Sequence, residues 1–410
     1  MKHHRYSLIA IFLVFLIDSF GLSIIYPVLS PLFLRPEFAL LPTAYTIFQK
    51  TTLFGIAIAA FPVAQFFGAP IIGESSDRIG RKKAFAITIS GATVGYAITA
   101  LGILLLELPL LLAGRVISGF FAGNLSICLA SLADMSPDPN IRSRRFGRLA
   151  SLAGIGFISG IIVGSLLSSS DTGSGLRASI PFWIVAFFSL INLMMILLFF
   201  QPVAAKEKNT IDIWRGMHNI LAASQEPILR RVYLAFFFFM ACWISAMQFV
   251  PIFLIQVFSA SSTTILIALM TAGAVWSLTN ALIAKWLARK QHFAAPLRFT
   301  LFILAILLLS SLFAVDAWQF IILFGLATFC SALSWTLVQT TVSLRAGPDA
   351  QGRSLGINQS VGALAAITGP LISGLLAGIN AHFVYVFAAL FSLIAFVIIL
   401  YDTQQHVKRS

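Results

Sequence analysis

The chain has 410 residues, of which 59% are hydrophobic and only 10% are charged, and its mean hydropathy is +0.95. A soluble domain carries about a quarter charged residues because its surface must be hydrated. The composition therefore excludes a soluble globular, disordered or nucleic-acid-binding protein and predicts an all-α membrane protein. The net charge of +13 is expected to lie in cytoplasmic loops, where it sets membrane topology.

Hydropathy predicts twelve transmembrane helices, at about 20 apolar residues for each crossing. They are placed near residues 7–34, 45–72, 84–106, 109–134, 146–169, 180–201, 229–257, 262–288, 296–314, 318–344, 355–378 and 382–402. Continuous apolar runs in lipid must be helices, because open sheet edges would leave backbone groups unpaired. Most Lys and Arg residues fall on one side when the N-terminus is cytoplasmic, so both termini are expected in the cytoplasm.

A polar stretch divides the chain into two halves of similar length. Residues 1–203 are expected to form an N-terminal six-helix bundle and residues 229–410 a C-terminal one, with residues 204–228 as a cytoplasmic linker. Gly147 and Gly160 can be laid over Gly356 and Gly369 at one constant offset. A same-direction repeat of six spans is typical of transporters whose two halves rock.

The loop between predicted spans two and three carries the most specific pattern in the chain. It reads Gly73-Glu-Ser-Ser-Asp77-Arg78-Ile-Gly80-Arg81-Lys-Lys. Gly80 permits a tight turn, and the arginines offer fork-shaped donors to neighbouring helices. This pattern resembles motif A of the major facilitator superfamily, and the resemblance implies the two-bundle transporter fold of that family. It also implies a cytoplasmic gate formed by Gly73, Asp77, Arg78, Gly80, Arg81 and Asp134.

Two further spans resemble the proton-coupled drug and tetracycline efflux branch of this superfamily. Span one contains Asp18 and Gly21 followed by Pro27, as in the first helix of that branch. Span four contains Arg115 followed by spaced glycines, which resembles motif B. The resemblance implies proton-coupled export by alternating access.

Glycines spaced four residues apart are expected to bring helices close together. The predicted packing residues are Gly119, Gly123, Gly156, Gly160, Gly164, Gly369 and Pro370. The three glycines of span five resemble antiporter motif C, but Ile161 stands where that motif normally has proline. This departure weakens the prediction of antiport, so a proton-coupled importer of a small organic or siderophore-like solute stays open as the alternative.

Of the fourteen acidic residues, only Asp18 lies deep inside a predicted span, about 16 Å from its cytoplasmic end. Lipid favours the neutral form of a carboxyl group, which would let Asp18 take up and release protons. Arg115 is the only basic residue well inside a span, at a depth that differs by about 5 Å. Both are predicted to couple transport to protons. The sequence leaves open a purely structural role for either residue and a direct pair between them.

Aromatic and amide side chains within the spans are predicted to line a substrate cavity. They are Tyr26, Gln65, Asn124, Trp243, Gln248, Trp276, Asn280, Trp335, Gln339 and Asn358. Amide and indole groups are costly to leave unpaired in lipid, and a mostly apolar cavity with a few such groups suits a lipophilic or amphipathic solute. For any single aromatic residue, packing against lipid is the more frequent role. Tetracycline exporters carry a further acid in the second half that these spans lack, so tetracycline itself is not favoured.

An enzyme is not predicted, because all six histidines lie in loops or at helix ends and no span holds paired acids. No phosphate-binding Gly-Lys-Ser/Thr loop is present, so the proton gradient is the expected energy source, without a cofactor or metal. The expected partners are a small-molecule substrate, protons and the lipid bilayer. A monomer in a bacterial inner membrane is expected.

Overall fold

The computed structural model describes residues 2–35, 38, 40–135, 138–168, 175–200, 214–287 and 294–407. These residues form α-helices joined by short connections, with no strand among them. In chain order the helices are α1 (Lys2–Ser23), α2 (Ile25–Leu34), α3 (Ile47–Ile79), α4 (Arg81–Leu104), α5 (Leu108–Phe120), α6 (Asn124–Asp134), α7 (Pro139–Ser168), α8 (Gly175–Phe199), α9 (Arg215–Gln225), α10 (Arg230–Gln248), α11 (Val250–Phe258), α12 (Ser262–Leu287), α13 (Ala294–Ser310), α14 (Ala317–Ile379) and α15 (His382–Val407).

Eleven segments of the described chain are long and apolar enough to cross a membrane. They are Tyr6–Leu34, Ile47–Ser76, Arg81–Leu104, Leu108–Asp134, Leu176–Phe199, Arg230–Gln248, Ser262–Asn280, Ala295–Phe313, Ala317–Ala346, Ser354–Ile379 and His382–Asp402. A shorter apolar segment, Gly154–Leu167 in α7, lies where span five was predicted. The prediction of an all-helical, multi-pass membrane protein is confirmed, whereas the count of twelve and the side of the termini stay predictions.

Three segments predicted as single helices are interrupted in the structure, which corrects that prediction. Span one breaks at Ile24, span four at residues 121–123 and span seven at Phe249. Pro27 and Pro251 lie in the first turn after two of these breaks, where their missing N–H groups cannot bond the carbonyl four residues earlier. In span four, Gly123 ends the interruption, and glycine disfavours a continuous helix.

Predicted spans ten and eleven are joined in α14, which is helical from Ala317 to Ile379. The Asn358 amide nonetheless donates to Gln339 Oε1 at 3.0 Å, although the two residues are 19 positions apart. A straight helix would separate them by about 28 Å. The chain of α14 therefore reverses direction between these two residues.

The chain divides into two compact units. Unit 1 comprises Met1–Tyr45 and Ala60–Arg215, and unit 2 comprises Thr46–Ala59 and Gly216–Ser410. In unit 1, Phe85 and Leu132 belong to a continuous buried core. In unit 2, Phe253 packs on Phe320 and Tyr385, with ring centroids 4.8 and 4.7 Å away.

Glycines of α7 bring this helix against the backbone of span one. A Cβ atom at Gly156 or Gly160 would overlap the carbonyl oxygen of Leu16 or Phe20, and at Gly164 it would lie 2.8 Å from Pro27 Cγ. Only glycine fits at such separations. This packing fixes the segment of span one that carries Asp18. With Ile161 in place of proline, α7 continues unbroken from Pro139 to Ser168.

The other predicted packing residues also lie at close helix contacts. A Cβ atom at Gly119 would overlap the Phe61 carbonyl oxygen, and one at Gly123 would lie 3.0 Å from Ile72 Cγ2. Within unit 2, a Cβ atom at Gly369 would lie 3.0 Å from Ser245 Oγ. A Cβ atom at Gly55 would overlap the Pro370 carbonyl oxygen.

Candidate functional site

The deepest acid in the membrane-spanning part of unit 1 is held by an amide. Asp18, on α1, is partly buried, and its Oδ1 atom accepts a hydrogen bond from Asn124 Nδ2 at 3.2 Å. Asn124 is 1% exposed and is the first residue of α6, directly after the break in span four. The break therefore places this amide opposite Asp18. Asn124 Oδ1 has no hydrogen-bond partner among the described residues.

Arg115, on α5, does not take part in this pair. It is 2% exposed, and its guanidinium carbon lies 4.6 Å from the centroid of the Phe61 ring, a cation–π arrangement. Its Nε and Nη1 atoms find no acceptor within the described part of the chain. The structure thus brings Asp18 and Asn124 together and leaves Arg115 without a direct ion pair to Asp18.

Tyr96, which the sequence analysis missed, lies against the helix that carries Asp18. It is buried on α4. A Cβ atom at Gly21 would overlap the Tyr96 hydroxyl group, so glycine one turn after Asp18 makes room for the tyrosine. A glycine beside a buried acid signals a bulky neighbour in the sequence, although it does not say which one. Tyr26 is also buried, with its ring centroid 6.1 Å from that of Phe157.

Gln65 was predicted to line a cavity, and in the structure it bonds a backbone group freed by the break in span four. Its Nε2 atom donates to the Ala122 carbonyl oxygen at 2.9 Å. A carbonyl group that leaves the helical pattern in lipid needs another donor, and Gln65 supplies it. Gln65 therefore stabilises the interruption that positions Asn124.

The motif A segment joins three helix ends in unit 1. Gly80 has φ 85°, a value that favours glycine, and α4 begins directly after it. Arg81 Nε lies 3.3 Å from Asp134 Oδ2 at the end of α6, and its Nη1 atom donates to Ser76 Oγ at 2.6 Å. The first guanidinium group of α4 thereby ties α3 to α6.

The remaining motif A residues lie on α3, before the turn at Gly80. A Cβ atom at Gly73 would lie 3.3 Å from Ser126 Oγ, and Arg78 is exposed. The side chain of Asp77 lies outside the described residues. Glu74, in the same helix, forms an ion pair with Arg215 at the start of α9.

In unit 2 the predicted aromatic residues form a stack. The Trp243 ring lies parallel to those of Trp276 and Phe324, with centroids 5.3 and 5.7 Å away. Trp335 lies next to Trp276 at 6.3 Å and next to Phe236 at 5.6 Å. The structure thus brings all three predicted tryptophans together and adds two phenylalanines. Offset and tilted rings at these distances attract one another beyond their burial.

Three of the four predicted amides of unit 2, Asn280, Gln339 and Asn358, make hydrogen bonds in two separate places. Asn280 donates to the Trp276 carbonyl oxygen at 2.9 Å and accepts from Thr336 Oγ1 at 2.5 Å. Asn358 is fully buried and donates to Gln339, but its Oδ1 atom lacks a partner within the described chain. Gln248 Oε1, also buried, has none there either.

Among the described residues, this multi-pass helical chain holds a partly buried acid and a buried arginine at membrane depth and an Arg–Asp ion pair at its helix ends, which are features of a membrane transporter. The family model of the Major Facilitator Superfamily matches residues 11–317 and 296–410. The chain belongs to this superfamily. The resemblance inferred from motif A is thereby confirmed.

Curated relatives include two tetracycline resistance proteins. The class H protein of Pasteurella multocida is 31% identical over 201 residues, which cover 49% of this chain and 46% of that protein. The chain thus matches about half the length of the class H protein. The class D protein of Salmonella ordonez is 28% identical over 362 residues, which cover 87% of this chain and 86% of the relative.

Solved structures share the fold over nearly the whole chain. The crystal structure of the human organic anion transporter MFSD10 (TETRAN) matches with a TM-score of 0.70 and 21% identity. The match covers 97% of this chain and 99% of the MFSD10 chain. The crystal structure of a D-xylose–proton symporter has a TM-score of 0.76 and 16% identity, covering 96% and 97%.

Proposed function

We propose that the chain is a secondary active transporter that exports a small organic solute, lipophilic or amphipathic, in exchange for protons by alternating access. The observation that carries this proposal is the Asp18–Asn124 pair in unit 1, together with the buried Arg115, whose Nε and Nη1 atoms lack a partner among the described residues. Acids at membrane depth are costly and mark ion or proton pathways.

The unpaired atoms around Asp18 fit its two protonation states. When protonated, the carboxyl group can donate its O–H to Asn124 Oδ1, the amide atom that lacks a partner within the described residues. When ionised, it loses that donor and gains a charge, which Arg115 would neutralise through Nε or Nη1, the guanidinium atoms that lack an acceptor among the described residues. The protonated carboxyl group would pair with Asn124, and the ionised one would pair with Arg115. Proton uptake would therefore change which residue Asp18 bonds.

The solute is expected to contact the aromatic stack of unit 2. Trp243, Trp276 and Trp335 offer flat apolar faces. Gln248 Oε1 and Asn358 Oδ1, which have no partner in the part of the chain that the structure describes, offer acceptors. This combination suits an amphipathic aromatic solute. The relatives named for tetracycline resistance support an organic solute of this character.

The remaining parts of the proposal concern topology and gating. Twelve spans form two bundles, residues 1–203 and 229–410, joined by residues 204–228, with both termini in the cytoplasm of a bacterial inner membrane. The Arg81–Asp134 pair serves as part of a cytoplasmic gate, supported by its place at the ends of α4 and α6. The protein works as a monomer and requires no cofactor beyond the proton gradient.

Transport into membrane vesicles of known orientation tests the proposal. A proton gradient would be imposed across inside-out and right-side-out vesicles, and the flux of tetracycline, ethidium and fluorescein would be followed by fluorescence. Export by exchange requires that a probe move against the imposed proton flow in both orientations. Probe flux that does not respond to the gradient would contradict proton coupling.

Import coupled to protons is the alternative, and two observations favour it. Ile161 replaces the motif C proline, and the fold is shared with a D-xylose–proton symporter. The same Asp18 site would serve either direction of transport. Movement of a probe together with protons in the vesicle assay would select this alternative.

A further inference from the structure

Three buried polar side chains of unit 2 each have an oxygen atom without a hydrogen-bond partner in the part of the chain that the structure describes. Ser245 and Gln248 lie near the end of α10, and Ser373 lies in the second half of α14. Both serines are 0% exposed, and Gln248 is 9% exposed. Buried polar atoms in native proteins seldom lack a partner, so these three oxygens are expected to bind a further group.

Helix α10 packs on the second half of α14, and the two segments run parallel. A Cβ atom at Gly362 would lie 3.3 Å from Phe236 Cε1, and one at Gly369 would lie 3.0 Å from Ser245 Oγ. Residue numbers thus rise together on both helices along the contact. The turn of α14 that follows Gly369 therefore lies beside the turn of α10 that follows Ser245.

These next turns carry the other two side chains. Ser373 follows Gly369 by four residues, and Gln248 follows Ser245 by three, and both spacings keep side chains on one side of a helix. One turn advances a helix by about 5.4 Å. Ser245, Gln248 and Ser373 therefore line one stretch of the contact between α10 and α14, within about one turn of one another.

The break in span seven adds a backbone oxygen atom to this cluster. Helix α10 ends at Gln248, and Pro251 lies in the first turn of α11. Since proline has no N–H group, Pro251 cannot donate to the Met247 carbonyl group four residues earlier. The C-terminal end of a helix also carries a partial negative charge from its aligned peptide dipoles. The end of α10 therefore offers both oxygen atoms and a negative electrostatic potential.

This set of groups has the chemistry of a site for a monovalent metal cation. Hydroxyl, amide and carbonyl oxygens bind hard cations, whereas the set has no thiolate or imidazole group for a transition metal. It also has no carboxylate group to offset the charge of a divalent ion. Carbonyl groups at helix breaks and the C-terminal ends of half-helices coordinate Na⁺ in membrane transporters.

We propose that an alkali metal cation, Na⁺ or K⁺, binds at the break between α10 and α11. Its ligands are four neutral oxygen atoms, those of Ser245 Oγ, Gln248 Oε1, Ser373 Oγ and the Met247 carbonyl group. The bound cation stabilises the break by pairing the carbonyl group that proline leaves without a donor. An amide oxygen has two lone pairs, so Gln248 can bind the cation and still accept a hydrogen bond from the solute. The site goes beyond the proposed function, which does not require the cation.

Equilibrium binding of ²²Na⁺ and of ⁸⁶Rb⁺, the tracer for K⁺, to the purified full-length protein tests this site. Ser245→Ala and Ser373→Ala each remove one hydroxyl ligand. Ser392→Ala is the matched control, because Ser392 is buried in the same unit but its hydroxyl group already donates to the Leu301 carbonyl oxygen at 2.7 Å. The ionic strength is held constant with N-methylglucamine chloride.

The expected result is saturable binding of one tracer ion per chain, which unlabelled NaCl or KCl displaces. Ser245→Ala and Ser373→Ala should each weaken this binding about tenfold or more, and Ser392→Ala should leave it unchanged. The tracer that binds more tightly identifies the preferred ion. Because the two serines lie on different helices, the test stays decisive if one variant fails to fold.

Two results would overturn the proposal. One is the absence of saturable binding of either tracer, or equal binding in all three serine variants. The other is loss of binding in Asp18→Asn, which would place the ion at the acid of unit 1 instead. No proton gradient and no solute are present in the assay, so its outcome is independent of whether the chain exchanges protons for a solute.

Discussion

The membrane-spanning interiors of the two units differ in the kind of polar group that they contain. The predicted site of unit 1 contains a partly buried acid and a buried arginine, whereas the predicted site residues of unit 2 are amides and stacked indoles. Charge inside a membrane responds to protonation, and neutral aromatic surface does not. Under the proposed function, this difference would assign proton exchange to unit 1 and solute recognition to unit 2.

The largest effect is expected from Asp18→Asn. Asparagine keeps the hydrogen bond to Asn124 but cannot ionise, so proton-driven flux of the probes should fall to background while exchange of probe for probe continues. Asp316→Asn is the matched control, because Asp316 caps α14 outside the apolar spans and asparagine caps helices equally well. Proteoliposomes with an imposed pH gradient separate the two activities. Full proton-driven flux in Asp18→Asn would remove unit 1 from proton coupling.

Arg115→Met should reduce proton-driven flux by about a hundredfold, the scale of a lost proton-transfer partner. Because two of its guanidinium nitrogens bond nothing among the described residues, the free energy of unfolding should change by no more than about 1 kcal/mol. The double variant with Asp18→Asn should lose no further flux, since both changes interrupt one step. Arg177→Met, at an exposed arginine in the first turn of α8, is the control. Strong destabilisation without loss of coupling would assign Arg115 a structural role.

The sequence predicted much of unit 1 because its motifs have local physical causes. Gly80 requires a positive φ, and the glycines of α7 require a close neighbour, so both features can be inferred from residue type. The Asp18–Asn124 bond could not be inferred, because it depends on a helix break that turns Asn124 towards α1. Hydropathy averages over such breaks, which is why spans one, four and seven were predicted as unbroken helices.

Glycines at matching positions in the two halves should differ in their tolerance of a methyl group. Alanine gains about 1 kcal/mol of helix propensity at either site. At Gly160 the added Cβ atom overlaps the Phe20 carbonyl oxygen, so Gly160→Ala should cost about 1–3 kcal/mol. At Gly369 it meets only the Ser245 hydroxyl group at 3.0 Å and the Ala241 carbonyl oxygen at 3.4 Å, so Gly369→Ala should be neutral or stabilising. Thermal unfolding can be followed with a thiol-reactive dye, because the three cysteines are buried. Equal losses at both sites would contradict the difference in packing.

The smallest effect is expected from Trp276→Leu in the aromatic stack of unit 2. Leucine keeps apolar bulk but removes a ring that stacks on Trp243, a contribution of about 0.5–1.5 kcal/mol for an aromatic partner. The apparent affinity for an aromatic probe such as ethidium should therefore fall about two- to twelvefold. Its maximal proton-driven flux should be unchanged, because Asp18 and Arg115 are intact. Trp183→Leu, at an exposed tryptophan of α8, is the matched control and should alter neither quantity. If Trp276→Leu instead lowered the maximal flux at constant affinity, the stack would belong to the conformational step, and solute recognition would have to be sought outside it.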